Sequence, residues 1–352
     1  MTRFFLPALM LISASAVAQD PQFSQYHANP LSQNPAFAGQ TGSSRLILTY
    51  RNQWPALGTT YQTWAASFDT YLEPDRGSIG IGWGVQALHD RQGAFVQTNQ
   101  VSAMGALNLT LLTTRNQSWQ LVWGIQSSYR TSRFDASGIS FVDQFSPGGT
   151  ISPTSADPLA GVAINQNQLD FGTGLLLENN TDRANLPTYR LGGAIHHLGQ
   201  SLDRFNPIGQ RLSLQASIRI PTGLDIAPRG LGHESERDRS FTLTGQYRQQ
   251  GQDKQLDVGI NLTYSPVMVG LWYRNIPFRR YNQTSQRDAL VGLLAVHLDQ
   301  IMVQYSYDLT ISSLAWASGG SHEITIWYGF DSLFSFSSKR RQANRARRCV
   351  NF

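Results

Sequence analysis

Apolar and polar residues alternate along most of this chain with a period of two. Leu46, Leu48 and Tyr50 are interleaved with Arg45, Thr49 and Arg51, and Ile79, Ile81, Trp83 and Val85 with Gly80, Gly82, Gly84 and Gln86. Trp119, Leu121, Trp123, Ile125 and Tyr129 alternate with Gln120, Gly124, Gln126, Ser128 and Arg130. The same rhythm runs through Leu212 to Ile220 and Leu256 to Tyr264. Successive side chains of a strand point to opposite faces, so each segment has one apolar and one polar side. The pattern predicts about fourteen strands, near 45–54, 60–72, 78–89, 94–112, 117–130, 168–178, 188–198, 211–220, 240–249, 254–264, 267–275, 288–298, 300–310 and 322–330.

An antiparallel soluble sandwich would alternate in the same way. Strand length separates the two: apart from the longer 94–112, these segments run to about 9 to 14 residues, against about 5 to 6 in globular sheets and 9 to 11 in a tilted membrane-spanning strand. Trp54, Tyr61, Tyr71, Trp119, Tyr129, Tyr189, Tyr247, Tyr264, Tyr273, Trp327 and Tyr328 fall near segment ends, where aromatic girdles sit. Ala289 to Leu298 is the longest nearly uninterrupted apolar run, about half the roughly 20 residues a spanning helix needs. The predicted fold is all-β: a transmembrane, antiparallel outer-membrane β-barrel at residues 45–331. Composition agrees, with 11% aromatic residues, 31 Gly and only 14% charged, where soluble domains carry about 25% charged residues. Mean hydropathy is −0.28, as a lipid-facing exterior and a wet interior would average.

An even strand count, as bacterial barrels use, puts both termini of the chain on the periplasmic side. The connections expected there are Glu73 to Gly77, Thr113 to Asn116, Ser265-Pro266 and Asp299; the outer loops are Thr131 to Asn167, Gly199 to Gln210, Ile276 to Arg287 and Ile311 to Ser321. Pro221 to Arg239 is long and mixed in charge, yet falls on the periplasmic side, which marks a missed hairpin or an inner loop that touches a partner.

Arg3, the apolar run Phe4 to Ile12 and Ala16-Val17-Ala18 make the pattern of a secretory leader over residues 1–18. Behind it, residues 19–44 carry Asn29-Pro30 and Asn34-Pro35, turn-forming pairs that stop a regular helix or paired strand. Phe23, Tyr26 and Phe37 on this kinked polar stretch suggest a segment docked on something. Residues 332–352 carry +6 and no acid, the leader carries +1, and residues 19–331 therefore carry −2 of the net +5. The basic character belongs to the ends, which argues against a nucleic-acid-binding body.

Candidate chemistry is sparse. Gly80-x-Gly82-x-Gly84 lies inside a strand with no helix after it, so it reads as small residues on a crowded inner face rather than a phosphate cradle. His196-His197 and His322-Glu323 lack a second ligand at zinc spacing, and neighbours on a strand point apart. Asp69, Asp170 and Asp257 are expected in the lumen. No catalytic residue, metal ligand or cofactor is assigned. Cys349 is the only cysteine, so no intrachain disulfide forms; with Val350 and Phe352 it gives the basic tail an apolar tip.

The opening Gln22-Phe23-Ser24-Gln25-Tyr26, Asn29-Pro30 and Asn34-Pro35-Ala36-Phe37 resembles the start of the PorP/SprF family of type IX secretion and gliding proteins. Pro266-Val267-Met268-Val269-Gly270-Leu271-Trp272-Tyr273-Arg274 is similar to that family's Pro-x-x-x-Gly-x-Trp-Tyr-Arg hairpin, and Tyr305-Ser306-Tyr307-Asp308-Leu309-Thr310 to its near-terminal strand. Gly319 to Ile324 and Arg348 to Phe352 resemble its last strand and end, with Val350 and Asn351 departing from the commoner Pro-Arg. The resemblance implies a non-enzymatic outer-membrane barrel that aids export and surface anchoring of a cargo, often a large adhesin with a type B C-terminal signal domain. It also implies contacts with periplasmic and outer-membrane components of the machine. On that reading Phe23, Tyr26, Asn29, Pro30, Asn34, Pro35 and Phe37 face a periplasmic partner, as do Arg340, Arg341, Arg345, Arg347, Arg348, Cys349 and Phe352 in the tail. Phe141, Phe145, Pro147 and Pro153 face the cargo. A passive porin or solute transporter, or a purely structural subunit of the machine, would share every strand feature.

Overall fold

The computed structural model describes residues 20–57, 61–72, 79–138, 140–145, 152, 154–158, 160–181, 186–199, 208–222, 239–251, 253–275, 280–281, 284–285, 289–311 and 318–330. The period-two segments become β1 (Ser44–Gln53), β2 (Tyr61–Leu72), β3 (Ile79–Gln92), β4 (Val96–Thr113), β5 (Gln117–Asp135), β6 (Ala163–Thr181), β7 (Thr188–His196) and β8 (Arg211–Pro221). They continue as β9 (Arg239–Gln250), β10 (Asp253–Tyr264), β11 (Val267–Arg274), β14 (Ala289–Leu298), β15 (Ile301–Thr310) and β16 (Ser321–Phe330). The two-residue strands β12 (Arg280–Tyr281) and β13 (Thr284–Ser285) form a separate hairpin. The other fourteen close into one antiparallel barrel, each paired with its sequence neighbour and β1 with β16, from Ser44 opposite Phe330 to Gln53 opposite Ser321. The end of the barrel where β1 starts and β16 stops is called here the near end, and the opposite one the far end.

Side-chain direction follows the alternation. Leu48, Trp64, Ile81, Val85, Trp123, Ile125, Leu175, Leu271 and Ile326 are exposed on the outer surface, while Thr49, Ser67, Gln86, Ser102, Gln126, Ser213, Asn261 and Thr325 are buried inside. That inverts the distribution of a soluble protein and fits a wall with lipid outside. No helix among the described residues is long and apolar enough to cross a membrane.

The strand reading from sequence holds, but two strands run on beyond it. The loop expected at Thr131 to Asn167 is shorter, because β5 and β6 each have 19 residues and pair from Gln117 opposite Thr181 to Asp135 opposite Ala163. Beyond Tyr129 and Leu169 the outer side carries Thr131, Arg133, Asp135, Asn165 and Asn167, so the extra turns of sheet stand above the apolar belt. Their outer face is polar and their inner face mixes Ser132 and Gln166 with Phe134 and Ile164, so the apolar-outside alternation stops at Tyr129 and Leu169.

The interior is not the wet lumen that the sequence suggests; it is filled. Ile47, Met268, Leu293, Ala295, Met302 and Trp327 pack together inside the near half. This explains the near-continuous apolar run of β14: its outward residues face lipid, while Ala289, Val291, Leu293 and Ala295 are buried inward. The rest of the filling comes from the segment ahead of β1.

Candidate functional site

Residues 20–42 lie inside the barrel. Their prolines allow only single 3-10 turns, at Tyr26–Ala28, Pro30–Ser32 and Pro35–Phe37, the latter two with proline in the first position. The Asn34 side chain caps the third turn, accepting from the Ala36 N–H at 2.9 Å, and its amide donates to the Leu175 and Gly193 carbonyls at 3.0 and 3.3 Å. One side chain thus fixes the local turn and staples it to β6 and β7.

The wall is cut to receive this segment. A Cβ on Gly82 would come within 2.0 Å of the Ala38 carbonyl oxygen, one on Gly124 within 2.3 Å of the Ala36 nitrogen, and one on Gly174 within 2.1 Å of Asn34 Oδ1. Leu31, Ala36, Phe37 and Ala38 fill the resulting groove with Met104, Ala106, Val122 and Leu176. What remains between plug and wall includes a cavity of about 50 Å³ near Tyr26, Phe37, Arg45, Arg190 and Trp327, room for a water or two.

Charge fixes the far end of the segment. Asp20 accepts from Arg130 at 3.0 Å, Arg211 at 2.8 Å and His197 Nε2 at 2.7 Å, and its N–H donates to Gln250 Oε1 at 3.1 Å. His197 Nδ1 lies 2.7 Å from Asp170. A second cluster follows: Ser24 donates its N–H to Glu323 at 2.6 Å, and its hydroxyl meets Arg51. Arg274 donates to the Ser24 and Phe23 carbonyls at 2.9 and 3.3 Å. Asp308 accepts from both Arg51 at 2.8 Å and Arg274 at 2.9 Å. At the near end, the Gly39 N–H donates to Asp69, which Arg45 grips through two nitrogens at 2.8 and 2.9 Å. Buried charges are tolerated because each is paired and hydrogen-bonded.

The motifs singled out in the sequence converge here. Gly270 makes room for Asn261, whose Oδ1 accepts from Trp272 at 2.9 Å; Trp272 packs edge-on against Tyr26, 6.0 Å between ring centroids, and against His27 at 5.3 Å. Arg274 of the same stretch, and Asp308 and Glu323 of the next two, also turn inward. The resemblance therefore picked out a cradle and the segment it holds.

Several sequence readings change. Phe23, Tyr26, Asn29, Pro30, Asn34, Pro35 and Phe37 are buried against the chain's own wall, not turned to the periplasm. Asp20 sits at the far end, across the barrel from the start of β1, so this end of the chain does not lie on the near side. His196 and His197 both turn inward, because His197 follows the last residue of β7 and adopts φ +60°, outside the strand geometry that would have splayed them. No cluster of metal-ligating side chains is found among the described residues. Asp69, Asp170 and Asp257 do lie inside, on Arg45, His197 and Arg274. Sequence reasoning missed Asp20, His197, Arg211 and Arg130 as a set, since only closure of the barrel brings them together.

Of the residues expected from the sequence to face cargo, Phe141 is half-buried and Phe145 exposed in the far-end loop, beside Val142, which is 90% exposed. Pro147 and Pro153 lie outside the described residues, as do Arg340, Arg341, Arg345, Arg347, Arg348, Cys349 and Phe352. The loop is tied by Asp143, which accepts from the Ser155 hydroxyl at 2.7 Å and the Ala156 N–H at 2.6 Å; these donors hold its carboxyl below the usual range.

Comparison with known proteins gives one family and a set of barrels. No curated protein sequence matches the chain. Among solved structures it is similar to CdiB from Acinetobacter baumannii, at 8% identity and TM-score 0.44, covering 82% of this chain and 60% of that one. The outer membrane protein Omp33 of Acinetobacter baumannii matches at 9% identity and TM-score 0.38, covering 83% and 100%. The β domain of the Bordetella autotransporter BrkA matches at 8% and 0.38, covering 82% and 100%. The family model described as type IX secretion system membrane protein PorP/SprF matches residues 15–328, from ahead of the lumenal segment almost to the end of β16, and the chain belongs to that family.

Proposed function

We propose that this chain is a closed anchoring barrel of the type IX system. It holds a cognate exported protein, a large adhesin with a type B C-terminal signal domain, at the outer face, and serves both secretion and gliding. The observation that carries this reading is the filled interior: a barrel stoppered by its own residues 20–42 is suited to hold and recognise, not to conduct solutes. That argues against a passive porin or solute transporter. Outer-membrane lipid surrounds the apolar belt. The far-end loop, with Val142 and Phe145 exposed on an Asp143-tied frame, is the surface offered to cargo, since loops on a rigid scaffold carry most binding specificity. On the near side, Arg340, Arg341, Arg345, Arg347 and Arg348, with Cys349 and Phe352, contact periplasmic components, where guanidinium groups pair with carboxylates. No step of this role needs catalysis.

Affinity capture of the tagged barrel from solubilised outer membranes tests the reading. A large secreted adhesin and machine components are expected to co-elute. Truncation before Lys339 is expected to lose the periplasmic components while keeping the adhesin. Recovery of machine components without any exported protein would favour a purely structural subunit.

A further inference from the structure

We propose that the amino end of the mature chain is presented on the outer side of the membrane, which it reaches through the barrel's own lumen. The proposal rests on the membrane orientation used above. Asp20 is held at the far end by residues at or next to the far-end termini of their strands: Arg211 opens β8, Gln250 closes β9, and His197 follows the last residue of β7. From there the segment descends past Ser24 on Arg51 and Glu323, Asn34 on the middle of β6 and β7, and Gly39 on Asp69, and enters β1 at the near end. It thus crosses the barrel once before the first strand crosses it again.

The near end is the cell side. Of the near-end connections, 73–78, 114–116, 182–187, 265–266 and 299–300 have six residues or fewer and 222–238 alone is long, whereas the far end carries 136–162, 197–210, 275–288 and 311–320, and bacterial barrels keep short turns in the periplasm and long loops outside. Asp20 lies two positions past Ala18 of the leader pattern, so a chain still tethered through residues 1–18 on the cell side cannot place Asp20 a membrane thickness away. Leader removal therefore precedes docking, and the wall closes around a free end. Pro21 and Gln22 are only half-buried at the mouth, unlike the fully enclosed Ala28, Leu31 and Asn34, while Asp20 itself is 7% exposed among the charged side chains that hold it. Any sequence added at this end would be displayed on the cell.

The test is a short epitope placed between Gln19 and Asp20, compared with the same epitope in the far-end loop after Phe145 and between β2 and β3. On intact cells, antibody is expected to bind the terminal and loop epitopes at comparable levels, and the third only after permeabilisation. A terminal epitope hidden on intact cells while the loop epitope is bound overturns the proposal and leaves the orientation standing. Binding only to the epitope between β2 and β3 overturns the orientation and the proposal with it. Should the insertion block assembly, Gln22→Cys in a Cys349→Ser background gives the same answer: labelling by a membrane-impermeant maleimide on intact cells supports the exit, and labelling only in lysed cells refutes it.

Discussion

Gly82 and Gly124 carry no side chain because the backbone of residues 35–39 occupies the space one would need, and Gly174 because the Asn34 side chain does. Period-two alternation placed Gly80, Gly82 and Gly84 on an inner face and required them to be small, but it held no information about what they face: Tyr71 for Gly80, and for Gly82 the backbone of Ala38 and Gly39, more than forty residues upstream. The same limit hid the Asp20 cluster, whose members come from four separate stretches. Gly124→Val tests the fit. Overpacking of this kind costs about 1 to 3 kcal/mol, so the variant is expected to keep a heat-modifiable barrel with a lower melting midpoint and to become cleavable by protease within residues 20–42. An unchanged midpoint with full protection would mean that the groove is not occupied as described.

At the scale of elements, the strands were legible because lipid on one side and a packed interior on the other leave a mark at every second residue. The lumenal segment was legible only as an irregular stretch with stranded aromatics. Its turns are local and readable from Asn29-Pro30 and Asn34-Pro35, while its destination is set by contacts such as Ser24 with Glu323, 299 residues apart. The upper ends of β5 and β6 were lost for the opposite reason, an outer face that turns polar at Thr131, Arg133, Asn165 and Asn167. The far-end loop owes its shape to Asp143, and Asp143→Ala is expected to expose residues 141–156 to protease while the melting of the barrel stays unchanged. Because hydrogen bonding lowers the pKa of this carboxyl, its contribution is complete above the ordinary value near 3.8 and is lost as pH falls through the depressed one. Limited proteolysis across an acid series would show loop cleavage rising only below that ordinary value; a loop equally protected in strong acid would remove Asp143 from its frame.

For the whole molecule, fourteen strands around their own amino-terminal segment make a solid object with one apolar surface and two polar ends. On the role proposed above, such an object takes partners at its ends rather than passing solutes through its middle; what is shown is membership in the type IX secretion system membrane protein family. Conductance across a planar bilayer addresses this most directly. The purified full-length barrel is expected to insert silently, and the same barrel lacking residues 20–42 to open a steady pore of nanosiemens order. A full-length protein that conducts as well as the deleted one would contradict the account.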